Sequence, residues 1–253
     1  MVYNSLTDVP RNLKECIDWL MALKGTDAET NLKAMGAALY NFLVYKPVGK
    51  MELPALEEVK RISKEFLEQK EFRDQPSVKK VLGTFNNRMN KQYYKYFRFV
   101  VHIDKSDYEN VVRTRGTVPE KIAEDLGKVV HGTETFLDDI KNPDKYRSAY
   151  CPEATWDASF AKNPEACAVI LVGIGPMFYA GSESLLIEFE VLYITGLSHY
   201  CFDNIQMMVK ALGFKEPECR ASPNLVDIDR ALTRLDDDEL YTVYDLSGFW
   251  AFY

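Results

Sequence analysis

Seventeen consecutive residues, Ala166 to Ser182, carry no charge. A stretch this apolar has to leave water, either into a protein core or into a bilayer. It is slightly short for a membrane span, and Gly173, Gly175 and Pro176 interrupt it. The expectation is therefore a buried core helix that starts near Glu165, after Asn163-Pro164, and that other helices must cover. Pro176 has no amide hydrogen to give to a helix, so it is expected to bend or interrupt this one.

The covering pieces are legible as helical periodicity, and alternating strand patterns are scarce. A first helix follows Pro10 with Asn12 as N-cap, sets Leu13, Ile17 and Leu20 on one face, and stops at Gly25. A second runs from about Ala28 to Tyr45, closed by Pro47 and Gly49, and a third from about Pro54 to Lys70. The fourth opens at Pro76-Ser77 and carries Val78, Val81, Leu82, Phe85, Met89, Tyr96, Phe97 and Val100 at helical spacing. A fully buried large apolar side chain contributes roughly 1.5–3 kcal/mol, so this stripe requires a tertiary partner. Pro119 opens a fifth helix that ends at Asn142-Pro143. Residues 144–150 and 152–161 read as short helices, and 198–212 and 225–235 as further ones. Residues 104–119 read as a loop region. The fold expected is all-α: a multi-helix bundle, either one domain or an N-terminal array over 1–103 and a C-terminal helical subdomain over 104–253.

Composition narrows the function class. A chain of 253 residues, 47% of them hydrophobic, buries roughly 70–75% of its unfolded surface without needing metals or disulfides. The net charge of −7 argues against a nucleic-acid partner. That charge is unevenly spread. Residues 1–126 carry 21 basic and 18 acidic side chains, whereas 127–253 carry 10 and 20. No carboxylate occurs from Gln75 to Ile103, where Arg88, Lys91, Lys95 and Arg98 alternate with aromatics. Such a surface suits an anionic ligand, although an amphipathic core helix with a basic outer face is the simpler reading of the same residues.

Catalytic signatures are weak. Val172-Gly173-Ile174-Gly175-Pro176 contains G-x-G without a third glycine at the dinucleotide-binding spacing, and packing glycines in a buried helix are the simpler reading. His199 and Cys201 stand two apart, on different faces of a helix. The histidines and cysteines show no zinc-ligand spacing. The expectation is a non-enzyme with no cofactor, no metal site and no catalytic residue. Of the five cysteines, Cys151 and Cys167, and Cys201 and Cys219, stand at distances that allow local pairs; spacing alone leaves buried free thiols equally open.

One stretch is more specific. Leu6-Thr7-Asp8-Val9-Pro10-Arg11-Asn12-Leu13-Lys14-Glu15-Cys16-Ile17-Asp18-Trp19-Leu20, followed by Gly25 and Asp27, resembles the opening of the variant erythrocyte surface antigens of Babesia. A second block follows in the same order: Tyr146-Arg147-Ser148-Ala149-Tyr150, Ala154-Thr155-Trp156, Glu165-Ala166-Cys167-Ala168 and Pro176-Met177-Phe178-Tyr179. Together the two cover about a fifth of the chain. Cys16 stands where the family has alanine. The family's cysteine- and lysine-rich region and its C-terminal membrane span have no counterpart here, so the chain is expected to be a compact relative or an ectodomain portion whose anchor lies elsewhere.

The resemblance implies an exported antigen or adhesin at the parasite or infected-erythrocyte surface, serving antigenic variation and host-cell adhesion. Its implied partners are a host erythrocyte or endothelial receptor, an anionic glycan, or a homologous antigen subunit. An intracellular helical scaffold is the alternative. An extracellular setting favours oxidised cysteines, so Cys151 is expected to pair with Cys167 and Cys201 with Cys219, leaving Cys16 reduced in the core. Arg88, Lys91, Lys95 and Arg98, which share one helix face, are the expected host contacts.

Overall fold

The computed structural model describes residues 2–86, 103–195, 206–215, 217–218 and 237–253. The described residues form α1 (Leu13–Lys24), α2 (Ala28–Leu43), α3 (Pro54–Leu67), α4 (Pro76–Asn86), α5 (Val111–Thr114), α6 (Pro119–Ile140), α7 (Trp156–Ser159), α8 (Pro164–Thr195), α9 (Asp237–Leu246) and α10 (Phe249–Phe252). Residues 206–211 are also helical. The fold is all-α; an isolated parallel bridge joins Tyr3 and Tyr150.

Local chemistry sets most of these boundaries. Asn12 Oδ1 accepts from the Glu15 amide at 2.9 Å, and Gly25 ends α1 at φ 55°, a left-handed value that favours glycine. Asp27 caps α2 through the Thr30 amide at 3.2 Å. Pro54 and Pro119 open α3 and α6 in the first turn, where a missing amide hydrogen costs nothing.

The apolar run lies inside α8, which packs against α1, α2, α3, α4 and α9. Its stretch from Pro164 to Glu188 is long and apolar enough to cross a membrane, and most of it is buried against these helices. One hydrophobic cluster draws on residues from both sides of the 104–119 segment, from Leu13 and Phe42 to Val172 and Trp250. Two glycines let the neighbours close in on α8. A Cβ on Gly173 would stand 2.4 Å from Val59 Cγ1, and one on Gly175 would stand 2.0 Å from Ser247 Oγ.

Pro176, expected to bend or interrupt the helix, does not interrupt it: α8 continues through it. The proline leaves the carbonyl of Val172, four residues earlier, without its helical donor. The hydroxyl of Tyr253 donates to that carbonyl at 2.8 Å, and Ser63 Oγ donates to the carbonyl of Gly173. Donors from outside the helix thus satisfy the backbone around the proline.

Two local expectations are corrected. Residues 144–150 form no helix, because their backbone is engaged by tertiary partners: Tyr3 donates to the Ala149 carbonyl at 2.7 Å, and Asp18 accepts from the Ala149 amide at 2.9 Å. The 104–119 segment is not simply loop. It contains a 3-10 turn, Lys105–Asp107, and α5, capped by Asn110.

Candidate functional site

The two sequence blocks singled out above lie more than a hundred residues apart, and they meet at one buried junction. Lys14 and Asp18 are one helical turn apart on α1, so both reach the same side. Lys14 Nζ lies 3.0 Å from Asp18 Oδ2 and donates to the Arg147 carbonyl at 2.8 Å. Asp18 also accepts from Tyr146 Oη at 2.5 Å and from the Ala149 amide at 2.9 Å. The Lys14 ammonium sits 4.6 Å from the Tyr146 ring centroid, and Glu218 stands 3.7 Å from it. Burial pushes the Asp18 carboxyl above its ordinary range, against the opposing pull of Lys14, Tyr146 and the Ala149 amide.

The same junction continues on both flanks. Tyr3 accepts from the Cys151 amide at 2.9 Å through its carbonyl, and its hydroxyl donates to Glu15 Oε2, also at 2.9 Å. Tyr150 Oη donates to the Asp8 carbonyl at 2.6 Å. Trp19 Nε1 donates to the Leu6 carbonyl at 2.8 Å, and the Leu6 amide donates to Ser159 Oγ at 3.0 Å. Phe160 stands edge-on to both Trp19 and Trp156. A buried, fully paired ion pair of this kind specifies register, because any other pairing strands a charge. The junction therefore clasps the chain's opening segment, α1 and residues 146–160 together, and it offers a ligand little access.

A second buried network joins α4, the 3-10 turn and α9. Lys80 pairs with Asp104 and lies 4.8 Å from the Tyr244 ring centroid, and Tyr244 Oη donates to Asp107 Oδ1 at 2.6 Å. Beside it is a polar concavity of about 480 Å³ that includes Asp104, Lys105, Arg115, Asp125, Lys128 and Asp245. Each of its three cations already faces a carboxylate: Arg115 that of Asp245, Lys128 those of Glu124 and Asp125, and Lys105 that of Glu109. Among the described residues no group of three or more His, Cys, Asp or Glu is placed to hold a metal ion.

The expected host contacts Arg88, Lys91, Lys95 and Arg98 lie outside the described residues, as do Cys201 and Cys219. The expected Cys151–Cys167 pair is not formed; both are free, as is Cys16. The reason is that the fifteen residues between them contain α7 and its turns, which lead the two thiols into different surroundings. Cys151 is half-buried beside Tyr3, with its thiol against the Glu153 carboxylate. Cys167 is fully buried in the first turn of α8, where burial pushes its thiol up. Cys16 is reduced in the core, as expected.

Sequence reading set Leu13, Ile17 and Leu20 on the packed face of α1 and passed over the polar members of the same helix. The missed signal was the Lys14/Asp18 spacing in α1. An i,i+4 ion pair is usually read as a solvated face, but here both side chains are buried.

Several tyrosines serve these buried networks, and a pH dependence follows. Burial and the Glu15 hydrogen bond push Tyr3 from 10.0 up to about 12. Tyr244 is pushed up by burial and Asp107, and Tyr253 by burial and Glu57. A folded-state pKa above the unfolded value means that the folded chain holds the proton more tightly. The stability contributed is complete below pH 10.0 and, for Tyr3, is lost as pH rises to about 12. In an alkaline titration, the phenolate absorbance of these residues is expected to appear together with loss of helical circular dichroism. Ionisation of all 15 tyrosines while the helices remain intact would contradict this.

No protein-family model, no curated protein and no solved structure matches this chain.

Proposed function

We propose that this chain is a helical surface antigen or adhesin of the variant erythrocyte surface antigen type, acting by contact with a host receptor or with a homologous subunit. The observation that carries this reading is the convergence of the two resembling blocks. Asp8, Lys14 and Asp18 from the first bond Tyr146, Arg147, Ala149 and Tyr150 from the second, and Leu6 and Trp19 contact Ser159 and Phe160, between the second block's segments. Two motifs found in the same order along the chain are thus one architectural unit. Such a unit suits an antigen: the signature holds the interior, and the outward-facing positions of α2, α3 and α6 are free to vary without touching it. Exposed substitutions away from such buried features usually change stability by no more than about 0.5 kcal/mol.

The free thiols of Cys16, Cys151 and Cys167 favour the second reading, an intracellular helical scaffold. One measurement separates the two. Antibodies raised against this chain are expected to stain intact infected erythrocytes, and brief external trypsin treatment is expected to remove the signal. Staining that appears only after permeabilisation would refute surface display and leave the scaffold.

A further inference from the structure

The α2–α3 connection exposes Tyr45 and Val48, 84% and 46% accessible, on a backbone that is held firmly. The buried side-chain amide of Asn110 donates to the carbonyls of Leu43 (3.0 Å), Val44 (3.2 Å) and Lys46 (3.0 Å). At the far end, the Gly49 and Met51 amides donate to the carbonyls of Trp250 (2.9 Å) and Ala251 (2.7 Å). Asn110 Oδ1 also accepts from the Arg113 amide at 3.0 Å, which places exposed Arg113 at the same corner. The α2–α3 connection carries one carboxylate, exposed Glu52, and Lys46, Lys50 and Arg113 form no ion pair among the described residues. The Lys46 ammonium rests instead 4.6 Å from the Phe42 ring centroid.

We propose that this corner is a peripheral docking point for an anionic lipid surface. Tyr45 and Val48 would enter the interface, and Lys46, Lys50 and Arg113 would face the headgroups. Three features favour this occupant. Lys46, Lys50 and Arg113, which form no ion pair among the described residues, lie beside exposed Tyr45 and Val48, and their charge complements an anionic surface. An amphipathic tyrosine is at home at the boundary between headgroups and acyl chains. Because the backbone is already ordered, little conformational entropy is lost when the side chains engage.

The probe is the intact chain with phosphatidylcholine vesicles, with and without phosphatidylserine, in a flotation assay. Binding is expected to the phosphatidylserine vesicles alone and to weaken as salt rises. Lys50→Ala and Arg113→Ala are each expected to reduce partitioning about fivefold, and Tyr45→Ser with Val48→Ser about tenfold. These side chains are exposed, so thermal unfolding is expected to stay unchanged. A Tyr45→Trp reporter is expected to shift its emission to the blue when vesicles are added. Absence of vesicle binding would overturn the proposal. So would binding that all these variants retain, which would assign it to another basic stretch of the sequence such as Arg88–Arg98. Loop-dependent capture of a sialylated glycan without vesicle binding would overturn it as well.

Discussion

Asp18→Ala is expected to lower the unfolding free energy by about 3–5 kcal/mol, a large share of the total for a domain of this size. The change leaves Lys14 charged and buried with its main counter-ion gone. The Arg147 carbonyl at 2.8 Å and Glu218 at 3.7 Å remain, but neither replaces a carboxylate in direct contact. Tyr146 Oη and the Ala149 amide lose their acceptor in the same step. Lys14→Met combined with Asp18→Leu is expected to recover the part of the loss that comes from the stranded Lys14 charge, but not the part that comes from Tyr146 Oη and the Ala149 amide, which still lack their acceptor. Urea denaturation of Lys14→Met, Asp18→Leu and the double variant measures the coupling as a cycle. A cost below about 1 kcal/mol for Asp18→Ala would mean that the pair behaves as a surface salt bridge.

Gly36→Ala is expected to destabilise by about 3 kcal/mol, the upper end for overpacking. A Cβ there would lie 2.7 Å from the Pro119 carbonyl oxygen and 2.8 Å from the Ala123 nitrogen. Both are main-chain atoms of α6, so no rotamer change relieves the clash; α2 and α6 would have to separate. Gly127 supplies the control on the same interface, because its added Cβ would meet only Leu32 Cδ1 at 3.8 Å. Gly127→Ala is expected to be neutral or to stabilise by up to about 1 kcal/mol through helix propensity. Thermal melts of both variants test the contrast. Equal behaviour would show that the helices are not held as close as the geometry gives.

The closeness of α2 and α6 also illustrates where sequence reading stops. The start of α6 was legible from Pro119 and that of α2 was placed near Ala28, because prolines and helical periodicity act within a turn or two of where they stand. That Gly36 faces Pro119 was not legible, since nothing local distinguishes a glycine in contact with a backbone from one in open space, such as Gly83. The same limit explains the disulfide. Sixteen positions of separation between Cys151 and Cys167 allow a bridge, but the direction each side chain takes depends on how α7 and the Tyr3–Tyr150 bridge route the chain.

Sequence alone determined the helical class, the N-terminal cap of α1, the proline starts of α3 and α6, and the need to bury Ala166–Ser182. These are properties of neighbouring residues, or of a single face repeated at the helical period. It also marked the two blocks that form the junction, while leaving open what they do. Tertiary structure decided the rest: it joined Lys14 and Asp18 to Tyr146 and Ala149, brought Tyr253 to the carbonyl that Pro176 leaves without a donor, and anchored Tyr45 and Val48 on Asn110. Each of these depends on groups about 65 to 130 residues apart, and a buried polar atom selects its partner only after the apolar helices have packed and removed the competing water.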